Sequence, residues 1–143
     1  MNLKTTLGSC VGVIFSDRKR SISGLAHIML PEQRSDDSAV GKYADTAIPA
    51  LVKEMALKGS SKSDMKAFLV GGANMFKYSS EKIITTIGKK NIEAAKNILG
   101  RLQIPVVFED TGGNYGRTII FDNLTGELSI RALNMTKNKG ENN

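Results

Sequence analysis

One cysteine, Cys10, and one histidine, His27, are all that the 143 residues hold of the two side chains most used for metal binding and nucleophilic catalysis, and there is no tryptophan. A lone cysteine excludes an internal disulfide and a multi-thiolate zinc site, which leaves Cys10 as a small buried hydrophobe or a reactive thiol. No apolar run approaches the roughly 20 residues that a bilayer span requires, so membrane insertion is not expected either. The opening Met-Asn-Leu-Lys-Thr-Thr carries no apolar segment of signal-peptide length, and a cytoplasmic location is the default expectation.

What is present is ordinary globular material. Hydrophobic residues make up 41% and charged residues 24%, enough for one domain around one core. The formal charge of +6 favours an acidic partner at long range. Nucleic acid fits poorly. The basic residues Lys53, Lys58, Lys62, Lys66, Lys77 and Lys82 are scattered rather than striped, few aromatics interleave with them, and no helix-turn-helix or zinc-finger spacing is visible.

The stretch 5–31 holds both unique side chains. Two apolar, β-branched runs, 10–15 and 22–30, flank a polar segment 16–21 that reads as a hairpin loop. A turn centred between Arg18 and Lys19 sets Cys10 opposite His27, Gly12 opposite Leu25 and Ile14 opposite Ser23. Thiol and imidazole then share a face at about 4.5–5.5 Å between Cβ atoms, and a slip of one residue would separate them.

Downstream, 32–41 is a polar loop containing Asp36 and Asp37. Ala44, Ala47, Ile48, Leu51, Val52 and Met55 recur at helical spacing, with Gly59 as a stop and Pro49 either opening the helix or bending its first turns. Residues 66–70 read as a buried strand leading into Gly71, Gly72, Ala73, Asn74, Met75 and Phe76. Those glycines lack the lysine-serine/threonine ending of a phosphate loop and suit a tight crossing. Met75 and Phe76 are candidates for a partner contact, with core packing as the other role. A second helix runs over 89–102 on Ile92, Ala95, Ile98, Leu99 and Leu102, and 79–88 is ambiguous. A strand over 103–109 follows, then a glycine-rich connection that reads as a hairpin into a strand at 117–121, and a last strand at 128–133. The polar residues 134–143 form a disordered tail. The expected fold class is an α/β (α+β) layered sandwich, with mostly antiparallel sheets and two main helices in a single domain, 1–133.

An imidazole beside a thiol takes its proton, and a pKa near 6.5 lets the same ring return the proton to a leaving amine. Gly8 and Ser9 precede Cys10, where a tight turn can aim backbone amides at an oxyanion. Thr5 or Thr6 can orient the imidazole; Thr6 has the parity of Cys10 in an extended strand, a count that Gly8 can break. A cysteine and a histidine in apolar strands also serve simply as core. Chemistry alone reaches a thiol hydrolase or transferase acting on an amide or ester.

The blocks Leu7-Gly8-Ser9-Cys10-Val11-Gly12-Val13 and Gly24-Leu25-Ala26-His27-Ile28-Met29-Leu30-Pro31 resemble the CheD family of chemoreceptor glutamine deamidases. So do Gly41-Lys42-Tyr43-Ala44-Asp45-Thr46-Ala47, Gly71-Gly72-Ala73-Asn74-Met75-Phe76, Ile87-Gly88-Lys89-Lys90-Asn91 and Gly112-Gly113-Asn114-Tyr115-Gly116-Arg117, in that order. The resemblance implies an α/β sandwich related in catalytic arrangement to the cytotoxic necrotising toxins. It further implies a cysteine-dependent protein-glutamine glutaminase that converts chemoreceptor glutamines to glutamate with loss of ammonia and needs no metal or organic cofactor. Cys10 would be the nucleophile, His27 the proton carrier, and Thr5 the third residue, the family placing a threonine five or six positions before the cysteine. Partners implied are methyl-accepting chemoreceptors as substrate and a CheC-type phosphatase, whose binding and regulation as a non-catalytic adaptor is the alternative function. The chain starts later than typical members, which carry an additional N-terminal segment, and the resemblance leaves open whether the first strand is truncated or altered.

Overall fold

The computed structural model of the chain describes residues 2–32, 40–74 and 82–133. Alternation of apolar and polar residues makes two sheets, and helical periodicity makes the layer that covers one of them. Strand β1 (Asn2–Leu7) turns Leu3, Thr5 and Leu7 inward and Asn2, Lys4 and Thr6 outward. It pairs antiparallel with β6 (Arg117–Asp122), which pairs antiparallel with β7 (Glu127–Ala132), giving a three-stranded sheet in the order β1-β6-β7. The second sheet has the order β3-β2-β4-β5, from β2 (Val11–Asp17), β3 (Ile22–Ile28), β4 (Lys66–Gly71) and β5 (Val106–Thr111).

Strand β2 is buried along its whole length because both of its faces are covered. Val11, Val13 and Phe15 join the core made with Ala44, Ala47, Ile48 and Met55 of helix α1 (Ala44–Leu57) and Ala95 and Leu99 of helix α2 (Lys82–Leu102). The alternate residue Ile14 joins Leu7, Val70, Ile119 and Phe121 in a smaller core against the three-stranded sheet. The layers therefore run helices, four-stranded sheet, three-stranded sheet, an α+β sandwich as expected from the sequence.

Several local expectations change. Strand β2 extends through Ser16 and Asp17, and the register pairs Gly12, not Cys10, with His27. The loop is 18–21, closed by Ser21 at φ 55°, and Asp17 stays in the ladder because its buried carboxylate accepts hydrogen bonds from Ser60 Oγ at 2.7 Å and Arg20 Nη1 at 2.9 Å. The shift is by two residues, so His27 keeps its face.

Helix α1 begins at Ala44 and runs through Pro49, which lies on its exposed side. It ends as foreseen at Gly59, φ 106°, where the amides of Gly59 and Ser60 cap Ala56 O and Met55 O. Helix α2 reaches back to Lys82. Strand β5 is parallel to β4, and β5 and β6 are not a hairpin: they belong to different sheets, and the glycine-rich link crosses between them. Residues 134–143, 33–39, Met75 and Phe76 lie outside the described residues, so the tail, most of the polar loop and the partner contact do too.

Candidate active site

Cys10 sits in a bend, residues 8–10, between the end of β1 in one sheet and the start of β2 in the other. All three carbonyls of that bend are engaged. Gly8 O accepts from Ala73 N at 3.0 Å and Cys10 O from Gly72 N at 2.8 Å, both on the loop after β4. Ser9 O accepts from Asn91 Nδ2 of α2 at 3.1 Å. Among the described residues, the backbone amides of Ser9 and Cys10 donate no hydrogen bond.

The close approach needs glycine. A Cβ on Gly71, whose φ is 106°, would stand 2.4 Å from Cys10 O. One on Gly88 would stand 2.3 Å from Ala73 O, so α2 comes down onto the same loop at a residue without a side chain.

His27 lies on β3 opposite Gly12, on the sheet face that looks toward β1, and Cys10 packs against the small core on that side. The bend breaks the strand parity that favoured Thr6. Thr5, facing inward, places Oγ1 at 3.1 Å from His27 Nδ1, whereas Thr6 is exposed and shares a 3.2 Å hydroxyl contact with Thr118. Cys10 and His27 are both half-buried, and among the described residues no hydrogen bond joins them. Burial pushes the Cys10 thiol up and the His27 imidazole down from their ordinary values. Both shifts favour a resting pair of neutral thiol and neutral imidazole.

The glycine-rich link bonds to the end of β4 and the loop after it. Gly113 O accepts from Asn74 N at 2.8 Å, and the buried Arg117 guanidinium holds the link through Gly112 O at 3.0 Å, Asp110 Oδ1 at 3.2 Å and the Tyr115 ring at 4.4 Å. No cluster of three or more metal-ligating side chains occurs among the described residues, and no described helix is long and apolar enough to cross a membrane.

Asn91 was not among the candidate residues, although one signal for it exists. It stands four residues before Ala95 on the apolar stripe of α2, and a fully buried amide on such a stripe requires a polar partner.

Comparison with known proteins agrees with the resemblance read from the motifs. The family model described as CheD chemotactic sensory transduction matches residues 29–132. A protein of Clostridium novyi (strain NT), named "Probable chemoreceptor glutamine deamidase CheD", is 46% identical over 131 residues, covering 90% of this chain and 81% of that protein. One of the same name from Methanococcus vannielii is 45% identical over 138 residues, covering 96% of this chain and 88% of that protein. By the length of the family match and the level of identity, this chain belongs to the CheD family.

Proposed function

We propose that the protein is a cysteine-dependent glutamine deamidase acting on chemoreceptors. Cys10 Sγ attacks the side-chain carboxamide carbon of a receptor glutamine while His27 takes the thiol proton. The tetrahedral oxyanion collapses, the C–N bond breaks, and His27 returns the proton so that ammonia leaves and a thioester remains. Water then adds to the thioester with His27 as base, releasing glutamate and the free thiol. Each turnover consumes one water and yields one ammonia.

The observation that carries this reading is the Thr5–His27 hydrogen bond beside the Cys10 bend. With Thr5 Oγ1 accepting from Nδ1–H, Nε2 is left as the base, the division of labour that a cysteine–histidine pair needs. The amides of Ser9 and Cys10, which donate to nothing among the described residues, are suited to the oxyanion. The relatives' printed name supports the substrate class.

The experiment is mass spectrometry of chemoreceptor fragments incubated with the protein, where each deamidated glutamine gains about one mass unit. Wild-type protein should produce the shift with ammonia release, and Cys10→Ala should abolish both while folding normally. Release unchanged in Cys10→Ala overturns the mechanism. A wild-type protein that deamidates nothing overturns the function and leaves binding to a CheC-type phosphatase as the surviving role.

A further inference from the structure

The amide of Asn91 reaches two places at once. Its Nδ2 donates to Ser9 O at 3.1 Å and to Met29 O at 3.0 Å. Ser9 immediately precedes Cys10, and Met29 follows His27 by two residues, just past the end of β3. One NH₂ group thus ties together the two backbone segments that carry the thiol and the imidazole, and both of its protons are used.

The peptide plane gives the first of these bonds a directional consequence. A peptide unit is rigid and trans, with its C=O and N–H pointing to opposite sides, and the described residues contain no cis peptide. Fixing Ser9 O on Asn91 therefore fixes the Cys10 N–H pointing away from α2. In the same way, fixing Gly8 O on Ala73 N aims the Ser9 N–H. These are the two amides that donate to nothing among the described residues.

The helix is built to allow the reach. Gly88 lies one turn before Asn91, and its missing side chain lets α2 rest against Gly72 and Ala73, atoms that a Cβ would strike at 2.3–2.7 Å. Asn91 is fully buried, and its Oδ1 has no partner among the described residues. An apolar residue on this stripe would serve packing better, since a buried unpartnered oxygen opposes folding. Something other than packing accounts for an amide here.

We propose that Asn91 is the positioning residue of the site: it orients the Cys10 amide as an oxyanion donor and locks that amide in register with His27. The proposal rests on the deamidase reading for its kinetic arm only.

The test uses Asn91→Leu, which keeps the branching at Cγ while removing both polar atoms, and Asn91→Ala, both assayed well below their unfolding midpoints. For each, kcat per folded molecule should fall by about ten- to a hundredfold while KM stays within about threefold, because an oxyanion donor acts in the transition state and not on bound substrate. A kcat within threefold of wild type overturns the proposal, and so does a rise in KM that accounts for the whole loss. Alkylation of Cys10 by iodoacetamide, which needs no deamidase activity, should shift its pH midpoint in the variants toward that of an ordinary cysteine peptide; an unmoved midpoint overturns the proposal. In the wild-type chain, both Asn91 side-chain amide protons should exchange slowly with water, and exchange at the rate of a free amide overturns it even if neither variant folds. If receptor fragments are never deamidated, the alkylation and exchange measurements still decide the role of Asn91, while the reaction assigned to the site fails separately.

Discussion

Thr5 Oγ1 and His27 Nδ1 stand 3.1 Å apart on edge strands of two different sheets. The neighbouring Thr6 makes its hydroxyl contact with Thr118 on the outer face instead. Thr5→Val keeps the shape and removes the hydroxyl, and loss of one orienting hydrogen bond of about 1–1.5 kcal/mol predicts roughly a tenfold fall in kcat/KM. Thr6→Val should leave kcat/KM within about twofold. Ammonia release from receptor fragments measures both, and an equal effect of the two substitutions would dissociate Thr5 from the imidazole.

In the proposed mechanism the lowered His27 pKa sets the acid side of the pH profile. In that mechanism His27 is neutral when it accepts the thiol proton, so kcat/KM should hold as pH falls through about 6.5, the ordinary imidazole value, and decline only below it. Stability carries the same sign. With the folded-state pKa lowered, the contribution is fully present above about 6.5 and is lost as pH falls below it, where the unfolded chain takes up the proton first. His27→Gln should flatten that part of the stability profile, read by urea unfolding across the range.

Asp17 provides a stability test removed from the reaction. Burial works to raise its carboxyl, but hydrogen bonds from Ser60 and Arg20 outweigh it and hold the group below its ordinary value. Its stabilisation is therefore present above about pH 4 and lost as pH falls below that. Asp17→Asn should cost about 2 kcal/mol at neutral pH, by leaving buried polar partners mismatched, and the difference from wild type should narrow in acid. Urea midpoints at the two pH values provide the measurement, with kcat unchanged.

Gly59 and Gly71 share a φ of 106° but not their surroundings. A Cβ at Gly59 meets nothing within 4 Å, whereas at Gly71 it meets Cys10 O. Gly59→Ala should therefore cost about 1 kcal/mol of stability with normal kcat. Gly71→Ala should cost about 1–3 kcal/mol in strain and displace the Cys10 bend, so that kcat falls as well. Thermal unfolding alongside steady-state kinetics separates the two.

The periodic parts of the molecule were legible because periodicity is local. Strand β2, the apolar stripe of α2 and the stop at Gly59 follow from side-chain order alone. The hairpin register did not follow, because it depends on Ser60, forty-three residues away, satisfying Asp17 inside what looked like a loop. The link from β5 to β6 reads as a hairpin since glycines and flanking β-formers look the same whether the chain doubles back or crosses to another sheet. Within the site, the pair Cys10 and His27 stood out by uniqueness. The choice between Thr5 and Thr6 needed the bend at 8–10, and Asn91 needed contacts with two segments more than sixty residues away.

The split of the proposed site between two sheets gives the smaller core a second duty. Thr5 travels with β1 and His27 with β3, and Leu7, Ile14, Val70, Ile119 and Phe121 hold the two layers in alignment. Sliding one layer past the other by a single residue, about 3.3 Å, would carry the hydroxyl beyond hydrogen-bonding reach of the ring. The imidazole is thus a vernier for the sandwich: a cavity opened at Ile119, on the strand between β1 and β7, would be read out as misaligned chemistry before it was read out as unfolding.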